Sequence, residues 1–391
     1  MRLGDCGKTN LHTYSDKEKW SLIRYLDTGS ITEGRIDEIQ TLYPGVDKIP
    51  SRARRKASVG DILFSTVRPN QKHYGIIEAG TENLLVSTGF TVVTVDTTIV
   101  DPYFIYYYLT QSSVIESLQA IAEQSTSTYP SIKPSDIEDI ELDLPELETQ
   151  KKIGSTLRML DRKIALNEEI NDNLEQQAQS YFQELFVDNA DPEWTTGTIS
   201  DLGTVVGGST PSKAKPEYYT ESGIAWITPK DLSINKSKFV SHGENDITEL
   251  GLKNSSAAIM PEGTVLFSSR APIGYIAIAA GEVTTNQGFK SVVPKPEIGT
   301  PFVYFFLKNT LPVIEGMASG STFKEVSGST MKNVPAVIPD AETLAKFSDF
   351  CAPIFAQQRI LEEQNQSLAT LRDNLLPKLM SGEIDVSAVQ L

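Results

Sequence analysis

A chain of 391 residues, 39% hydrophobic and 22% charged, has room for two domains of ordinary size and enough apolar side chains to exclude disorder on a large scale. Its formal net charge of −16 counts against nucleic-acid binding on charge alone, because a basic surface is the usual footprint of such binding. Two cysteines and the scattered His12, His73 and His242 indicate neither a disulfide framework nor a metal cluster, and with no apolar leader or membrane-length apolar run the protein is expected to be cytoplasmic and to have no membrane partner.

In chain order, a loop-rich opening, with Cys6 expected near the surface, leads to a predicted strand over Trp20 to Leu26, stopped by Asp27-Thr28-Gly29. Lys48, Arg52, Arg54, Arg55 and Lys56 then crowd one short stretch, against the acidic trend of the chain. Such a run suits phosphate contacts, although a solvated charged face explains it equally well. A second strand is predicted over Asp61 to Val67, followed by Arg68-Pro69-Asn70-Gln71-Lys72-His73-Tyr74 on a loop. These side-chain types can read base edges, Arg or Lys against guanine and Asn or Gln against adenine. Thr88 to Val95 reads as a strand and Pro102 to Glu116 as a helix with a core-facing aromatic side. Glu123 to Ser131 reads as a Ser/Thr-rich loop, where Lys133 beyond it adds a further candidate phosphate contact.

From Pro145 to about Phe186 apolar residues recur by alternate steps of four and three: Ile153, Leu157, Leu160, Ile164, then Leu174, Ala178, Tyr181 and Leu185. That is a heptad seam, and a helix of this span is roughly 60 Å long. Asn167 and Asn171 take its middle positions, where a polar residue fixes register at some cost in stability.

After the turn-forming Asp188-Asn189-Ala190-Asp191-Pro192, a second lobe opens with Gly207-Gly208-Ser209-Thr210-Pro211-Ser212 and Trp226-Ile227-Thr228-Pro229-Lys230-Asp231-Leu232. The glycines permit a tight turn, but no Gly-Lys-Ser/Thr ending follows, so a nucleotide cradle is not expected. Beyond the next apolar strands stand Arg270 and then Asn286, Gln287 and Lys290, the same polar types as in the first lobe. Ser209, Thr210, Lys213, Lys230, Ser321 and Lys324 complete the candidate DNA contacts of this lobe. A second heptad segment runs from Pro339 to Met380 through Phe347, Cys351, Ile354, Leu361, Leu368, Leu375 and Leu379.

The two halves repeat one another. The second seam lies 194 positions after the first, which aligns Asn365 with Asn171. Gly60, Ile62, Leu63, Phe64, Ser65 and Thr66 match Gly263, Val265, Leu266, Phe267, Ser268 and Ser269, and Gly89-Phe90 match Gly288-Phe289. Phe104 to Leu109 match Phe302 to Leu307, and Ser127-Thr128-Tyr129 match Ser321-Thr322-Phe323. The unit written twice is a globular lobe followed by a long helix. The expected segments are a lobe over 1–144, a helix over 145–187, a lobe over 192–338, a helix over 339–380 and a tail over 381–391. The fold class is α+β, and the helices, one leaving each lobe, are expected to pair as an antiparallel coiled coil.

Gly208-x-Thr210-Pro211-Ser212, Trp226-Ile227-x-x-x-Asp231-Leu232, the duplicated helices and the terminal Leu375-Leu376-Pro377-Lys378-Leu379-Met380-Ser381-Gly382-Glu383-Ile384 resemble the specificity (S) subunits of Type I restriction-modification systems over nearly the whole chain. The resemblance implies two target recognition domains that each read half of a split double-stranded DNA site. It also implies helices that act as spacer and as dock for two adenine-methylating modification subunits, with a restriction subunit in the full complex. It carries over no catalytic residue and no cofactor, S-adenosylmethionine being expected in the modification subunit. Rival readings are weaker. A methyltransferase needs an Asp/Asn-Pro-Pro-Tyr/Phe motif, which Asp101-Pro102-Tyr103 lacks for want of a second proline. A nuclease needs a carboxylate pair with Glu-x-Lys, whereas Asp340 and Glu342 sit where a helix N-terminus favours acids. A coiled-coil scaffold without direct DNA recognition is the remaining alternative.

Overall fold

The computed structural model describes residues 1–125, 129–320 and 324–386. It divides into two compact units, Met1–Ile164 with Ser367–Leu391, and Ala165–Gln366, so each unit holds one lobe and part of both long helices.

In the first unit, Ile62–Ser65 and Phe90–Val95 pair antiparallel at the centre of a four-stranded sheet flanked by Gly7–Thr9 and Tyr74–Ile76. Ile62, Leu63 and Phe64 are all buried, because this strand has packing on both faces and so reads as a continuous apolar run. A second sheet orders Gln40–Leu42, Ile23–Leu26, Leu84–Ser87 and Ala53–Lys56. Its Ile23–Leu26 strand is shorter than the sequence suggests, and Trp20 lies before it, against Tyr14. The aromatic helix begins where Asp101 caps it, accepting a hydrogen bond from Phe104 N at 2.9 Å, with Pro102 at the first helical position. It ends at Leu109 rather than continuing to Glu116. Gln111 takes non-helical backbone angles, and a new helix, Ser112–Glu123, turns Ile115, Leu118 and Ala122 into the core. Cys6 is also not at the surface: it ends the helical turn Leu3–Cys6 and is buried, and burial pushes its thiol pKa up.

In the second unit, a five-stranded sheet orders Gly203–Gly207, Lys290–Pro294, Val265–Ser269, Ile273–Ala279 and Phe239–Val240. A four-stranded sheet orders Tyr219–Thr220, Asn245–Ile247, Ile224–Ile227 and Thr284–Thr285. The internal repeat holds at the level of single hydrogen bonds. Thr66 N donates to Gly89 O at 2.8 Å in one lobe, and Ser269 N donates to Gly288 O at 2.7 Å in the other. The hydroxyls of Thr66 and Ser269 each donate to the same carbonyl as their backbone N–H. The repeat match at Ser127-Thr128 and Ser321-Thr322-Phe323 lies outside the described residues.

The long helices span Leu147–Gln183, prolonged by a π turn over Glu184–Asp188, and Ala341–Met380. In the second unit Asn167 Nδ2 donates to Asn365 Oδ1 at 2.8 Å, Gln358 Nε2 donates to Asn171 O at 3.1 Å, and Phe182 meets Phe347. One residue number rises as its partner's falls, so the pairing is antiparallel. Asn365, which aligns with Asn171 in the repeat, therefore meets Asn167 in space. In the first unit Arg372 donates to Asp161 at 2.7 Å, and Leu157 shares a core with Leu376 and Leu379.

Each lobe's aromatic helix presses its N-terminal end against the long helix that follows it in the chain, and each time a glycine makes room. A Cβ on Gly154 would lie 2.6 Å from Asp101 Oδ1 and 3.0 Å from Phe104 N. In the second lobe the glycine is on the other side of the contact: a Cβ on Gly299 would lie 3.0 Å from Ser348 Oγ.

Candidate nucleic-acid interface

Ala53–Lys56 ends the named strand order, with His12 to Tyr14 hydrogen-bonded along its outer side, and its pairing with Leu84–Ser87 shifts register between Ala53 and Arg55. The bulge breaks strict alternation, so Ala53 is buried while Arg54, Arg55 and Lys56 are all half-buried, and Arg52 just before them is exposed. Lys56 is not a free cation: its Nζ lies 2.5 Å from Glu18 Oε2 and 5.1 Å from the centre of the Trp20 ring. Burial lowers the pKa of Arg55, and its Nε is buried with no hydrogen-bond partner among the described residues.

The loop between Ile62–Ser65 and Tyr74–Ile76 carries the other first-lobe candidates. Arg68 and Lys72 adopt left-handed backbone angles around a turn at Pro69–Gln71, and the Arg68 guanidinium lies 5.0 Å from the centre of the Tyr129 ring. Asn70 and Gln71 are exposed. Lys72 pairs with Glu33 at 2.5 Å, and His73 Nδ1 lies 2.7 Å from Ile31 O. Tyr74 must be removed from the candidate set. It is buried, stacks on Phe64 at 5.9 Å between ring centres, and has its phenol pKa raised by burial. The loop ends one residue earlier than residue type suggests, and Tyr74 is already a core residue of the sheet. Lys133 is exposed at the start of a short helix.

In the second lobe, Gly208 brings two segments together. A Cβ there would lie 2.0 Å from Asn286 O, so only glycine lets the Gly207-Gly208 turn run against the Thr285 to Gln287 backbone. Ser209 N then donates to Thr285 O at 2.8 Å, Trp226 Nε1 donates to Ser209 O at 3.0 Å, and Thr210 donates to Gln287. The Asn286 side-chain carbonyl accepts from Gly288 N at 2.8 Å, which fixes the turn. Arg270 and Lys290 converge on Glu325, at 3.6 and 3.8 Å. Burial lowers the Lys290 pKa, and Glu325 partly offsets that. Lys213, Lys324 and Lys230 are exposed, Lys230 beside Glu244 at 2.6 Å, and Ser321 lies outside the described residues.

The two lobes do not place matching residue types at matching sites. Arg68 corresponds to Ala271, which shares its left-handed angles, and Arg270 corresponds to Val67: both of the latter form isolated bridges, to Glu325 and to Ser131. Asn70 and Gln71 stand on one hairpin of their lobe, whereas Asn286 and Gln287 stand on the other, in the place of Ser87 and Thr88.

A buried ionic cluster lies between the second lobe and both helices. Lys238 Nζ donates to Glu175 Oε2 at 2.6 Å and Gln358 Oε1 at 2.8 Å, and sits 3.6 Å from the centre of the Phe355 ring. Lys308 and the Tyr304 hydroxyl also bond Glu175, and Glu362 accepts the backbone N–H groups of Lys238 and Phe239. Burial lowers the Lys238 pKa to about 8. Burial would raise Glu175, but Lys238 and Lys308 outweigh it and hold the carboxyl below its usual range. The two shifts point opposite ways for the pair, one toward a neutral lysine and one toward an ionised acid. The short contact and the ring face favour the charged pair near neutral pH. Sequence reading missed Lys238, because Asn235-Lys236-Ser237-Lys238 has the composition of a surface loop.

Comparison with known proteins decides what these lobes are for. The Type I restriction modification DNA specificity domain matches residues 53–176 and 192–371. The chain belongs to this family. A specificity subunit of the Type I restriction enzyme HindI from Haemophilus influenzae is 25% identical over 98% of this chain and 98% of its own. The MjaIX specificity subunit of Methanocaldococcus jannaschii is 39% identical over 47% of this chain and 45% of its own. The crystal structure of the S subunit of a Type I system from M. genitalium covers 97% of this chain and 95% of its own, at 17% identity and a TM-score of 0.58, and so shares the fold. The chain is a specificity subunit of a Type I restriction-modification system with two repeated recognition domains, and specificity subunits are the DNA-recognition components of such systems. Among the described residues no helix is long and apolar enough to cross a membrane.

Proposed function

We propose that each lobe reads one half of a split DNA site, and that the paired helices set the unread spacer and dock two modification subunits. The chain itself transfers no methyl group, cuts no DNA and binds no cofactor. S-adenosylmethionine belongs to the modification subunit, and a restriction subunit joins in the full complex. The observation that carries this reading is one lobe-and-helix unit written twice with its helices antiparallel, which suits half-sites on opposite strands.

In this reading Arg68, Gln71, Arg270 and Gln287 touch bases, while Arg52, Arg54, Arg55, Lys56, Lys133 and Lys213 hold phosphates. Exposed pairs such as Lys72 with Glu33 and Lys230 with Glu244 contribute little to stability, so these lysines are available to exchange a carboxylate for a phosphate. Comparing methylated sites in the source strain with and without the gene tests the function. Loss of one bipartite methylation motif is expected, and an unchanged methylome refutes the reading. Replacing Arg68 or Gln71 with alanine is expected to relax one half-site only, at ~1–3 kcal/mol per lost bidentate contact.

A further inference from the structure

The strand Ile273–Ala279 changes character along its length. Its last three residues are buried, whereas Ile273, Gly274, Tyr275 and Ile276 are only half-buried, just past the turn that carries Arg270. Strand register fixes what Tyr275 corresponds to in the first lobe. Phe64 pairs with Tyr74 there, and its repeat match Phe267 pairs with Ile276 here, so Tyr275 stands where His73 stands. The hydrogen bonds agree: Ser65 N donates to His73 O at 2.9 Å, and Tyr275 N donates to Oγ of the matching Ser268 at 2.8 Å. In the first lobe this place is taken up by the lobe's own groups, with His73 Nδ1 2.7 Å from Ile31 O and Lys72 paired with Glu33. In the second, Lys236 is exposed, lies 5.4 Å from the centre of the Tyr275 ring, and makes no ion pair among the described residues. Nor does the Tyr275 hydroxyl make a hydrogen bond among them. Lys236 follows two residues after the helix Pro229–Ile234, whose start packs on the turn that carries Gln287: a Cβ on Gly288 would lie 2.9 Å from Pro229 Cγ.

We infer that Tyr275 and Lys236 form a phosphate clamp beside the base contacts of the second lobe. A phenol hydroxyl donates to a phosphate oxygen, and an ammonium supplies the opposite charge. The ring face holds the ammonium by cation–π attraction, which keeps its long stem beside the hydroxyl. Tyr275 lies two residues along the strand from Ile273, roughly 7 Å. That is about two base pairs of duplex at ~3.4 Å each, so the clamp falls at the flank of the pairs that Arg270 meets. A hydroxyl and an ammonium do not make the paired, fork-like contact that distinguishes one base edge from another. Both are therefore positioning residues, which hold the lobe in register without reading sequence. The inference rests on the second lobe binding DNA, as proposed above.

The test uses the chain assembled with its modification subunits, titrated at several salt concentrations with a duplex carrying its methylated site and with an unrelated duplex. Lys236→Met keeps the stem on the ring and removes the charge. It is expected to weaken both duplexes and to reduce the slope of log K against log salt by about 0.9, the share of one phosphate. Tyr275→Phe keeps the ring and its packing and removes only the hydroxyl. It is expected to weaken both duplexes on the order of tenfold, as for one hydrogen bond to a charged acceptor. Its slope should stay that of the wild type, because a neutral hydroxyl displaces no counterion. A purely structural role for Lys236 would leave the slope unmoved. The clamp is overturned by the wild-type slope in Lys236→Met, by wild-type affinity in Tyr275→Phe, or by a loss in either variant confined to changes within one half-site. If the wild-type complex binds neither duplex, the reading of the lobes fails and the clamp with it, whereas a wild type that binds alongside indistinguishable variants sinks the clamp alone.

Discussion

Removing Glu175 is expected to destabilise the second unit far more than removing its partner Lys238. In Glu175→Leu the Lys238 ammonium stays buried with Gln358 and the Phe355 ring but no counter-charge. Leaving a buried charge unpaired costs ~3–5 kcal/mol. In Lys238→Met the carboxylate keeps Lys308 at 2.5 Å and the Tyr304 hydroxyl at 3.2 Å, so the cost is about one charged hydrogen bond, ~1.5–3 kcal/mol. The double variant leaves neither partner's charge buried alone, although the Tyr304 hydroxyl and Gln358 Oε1 each lose a partner, and it should cost clearly less than the sum of the two. Stability also carries a pH signature. The unfolded lysine keeps its proton to 10.5, whereas the folded one loses it at about 8. Between those values the unfolded chain binds more protons, so the Lys238 contribution to stability rises with pH there, by at most roughly 3 kcal/mol, and is flat below the window. Without Glu175 the folded pKa falls further, so the penalty of Glu175→Leu should shrink from pH 6 toward pH 9. Urea unfolding followed by hydrogen exchange in peptides around Phe239–Val240 measures each variant. Equal costs for the two single variants, or a Glu175→Leu penalty that grows with pH, would refute the reasoning.

Inserting four residues near Asn167 adds about one helical turn, ~6 Å. It should lengthen the unread spacer by roughly two base pairs at ~3.4 Å each, with both half-sites unchanged in the methylome. Arg54→Ala or Arg52→Ala should weaken DNA binding by the assembled complex for all sequences and flatten its salt dependence, in contrast to the one-sided effect of Arg270→Ala or Gln287→Ala. Binding assays at two salt concentrations separate the two groups. Incubating the purified chain alone with labelled S-adenosylmethionine and target DNA should give no methyl transfer, and transfer free of any partner subunit would end the non-catalytic reading. Asn167→Leu removes a polar pair from the helix seam and should raise the unfolding midpoint of the second unit while permitting alternative registers, visible as mixed cross-links to the second helix.

What the sequence revealed and concealed follows from the range of the forces involved. The repeated lobes and the heptad seams were legible because periodic burial is written locally: Ile153, Leu157, Ala178, Phe347 and Cys351 are all buried as their spacing requires. Places where tertiary packing overrules local preference were not. Gln111 breaks an otherwise continuous helical pattern because the core needs Ile115 and Leu118 at a new angle, and Cys6 is buried by contacts that the opening residues do not announce. The surroundings of the candidate contact residues were not legible from residue type. Tyr74 follows a polar loop yet belongs to the sheet, Asn286 is taken by its own turn, and Glu325, which meets both Arg270 and Lys290, carries no local signal of that role.

The exchanged glycines at the lobe-to-helix contacts bear on how such chains can be recombined. In one lobe the capping residue is bulky and the helix yields, Asp101 against Gly154. In the other the cap yields and the helix is bulky, Gly299 against Ser348. A graft of the first lobe onto the second lobe's helix would set the Asp101 carboxylate against a serine where its own helix offers Gly154, and the reverse graft would leave a void. The exchangeable module is therefore the lobe together with the opening turns of the helix behind it. A chimera joined within the long helix, beyond Gly154 or Ser348, keeps each complementary pair intact, whereas one joined at Pro145 or Pro339 separates it.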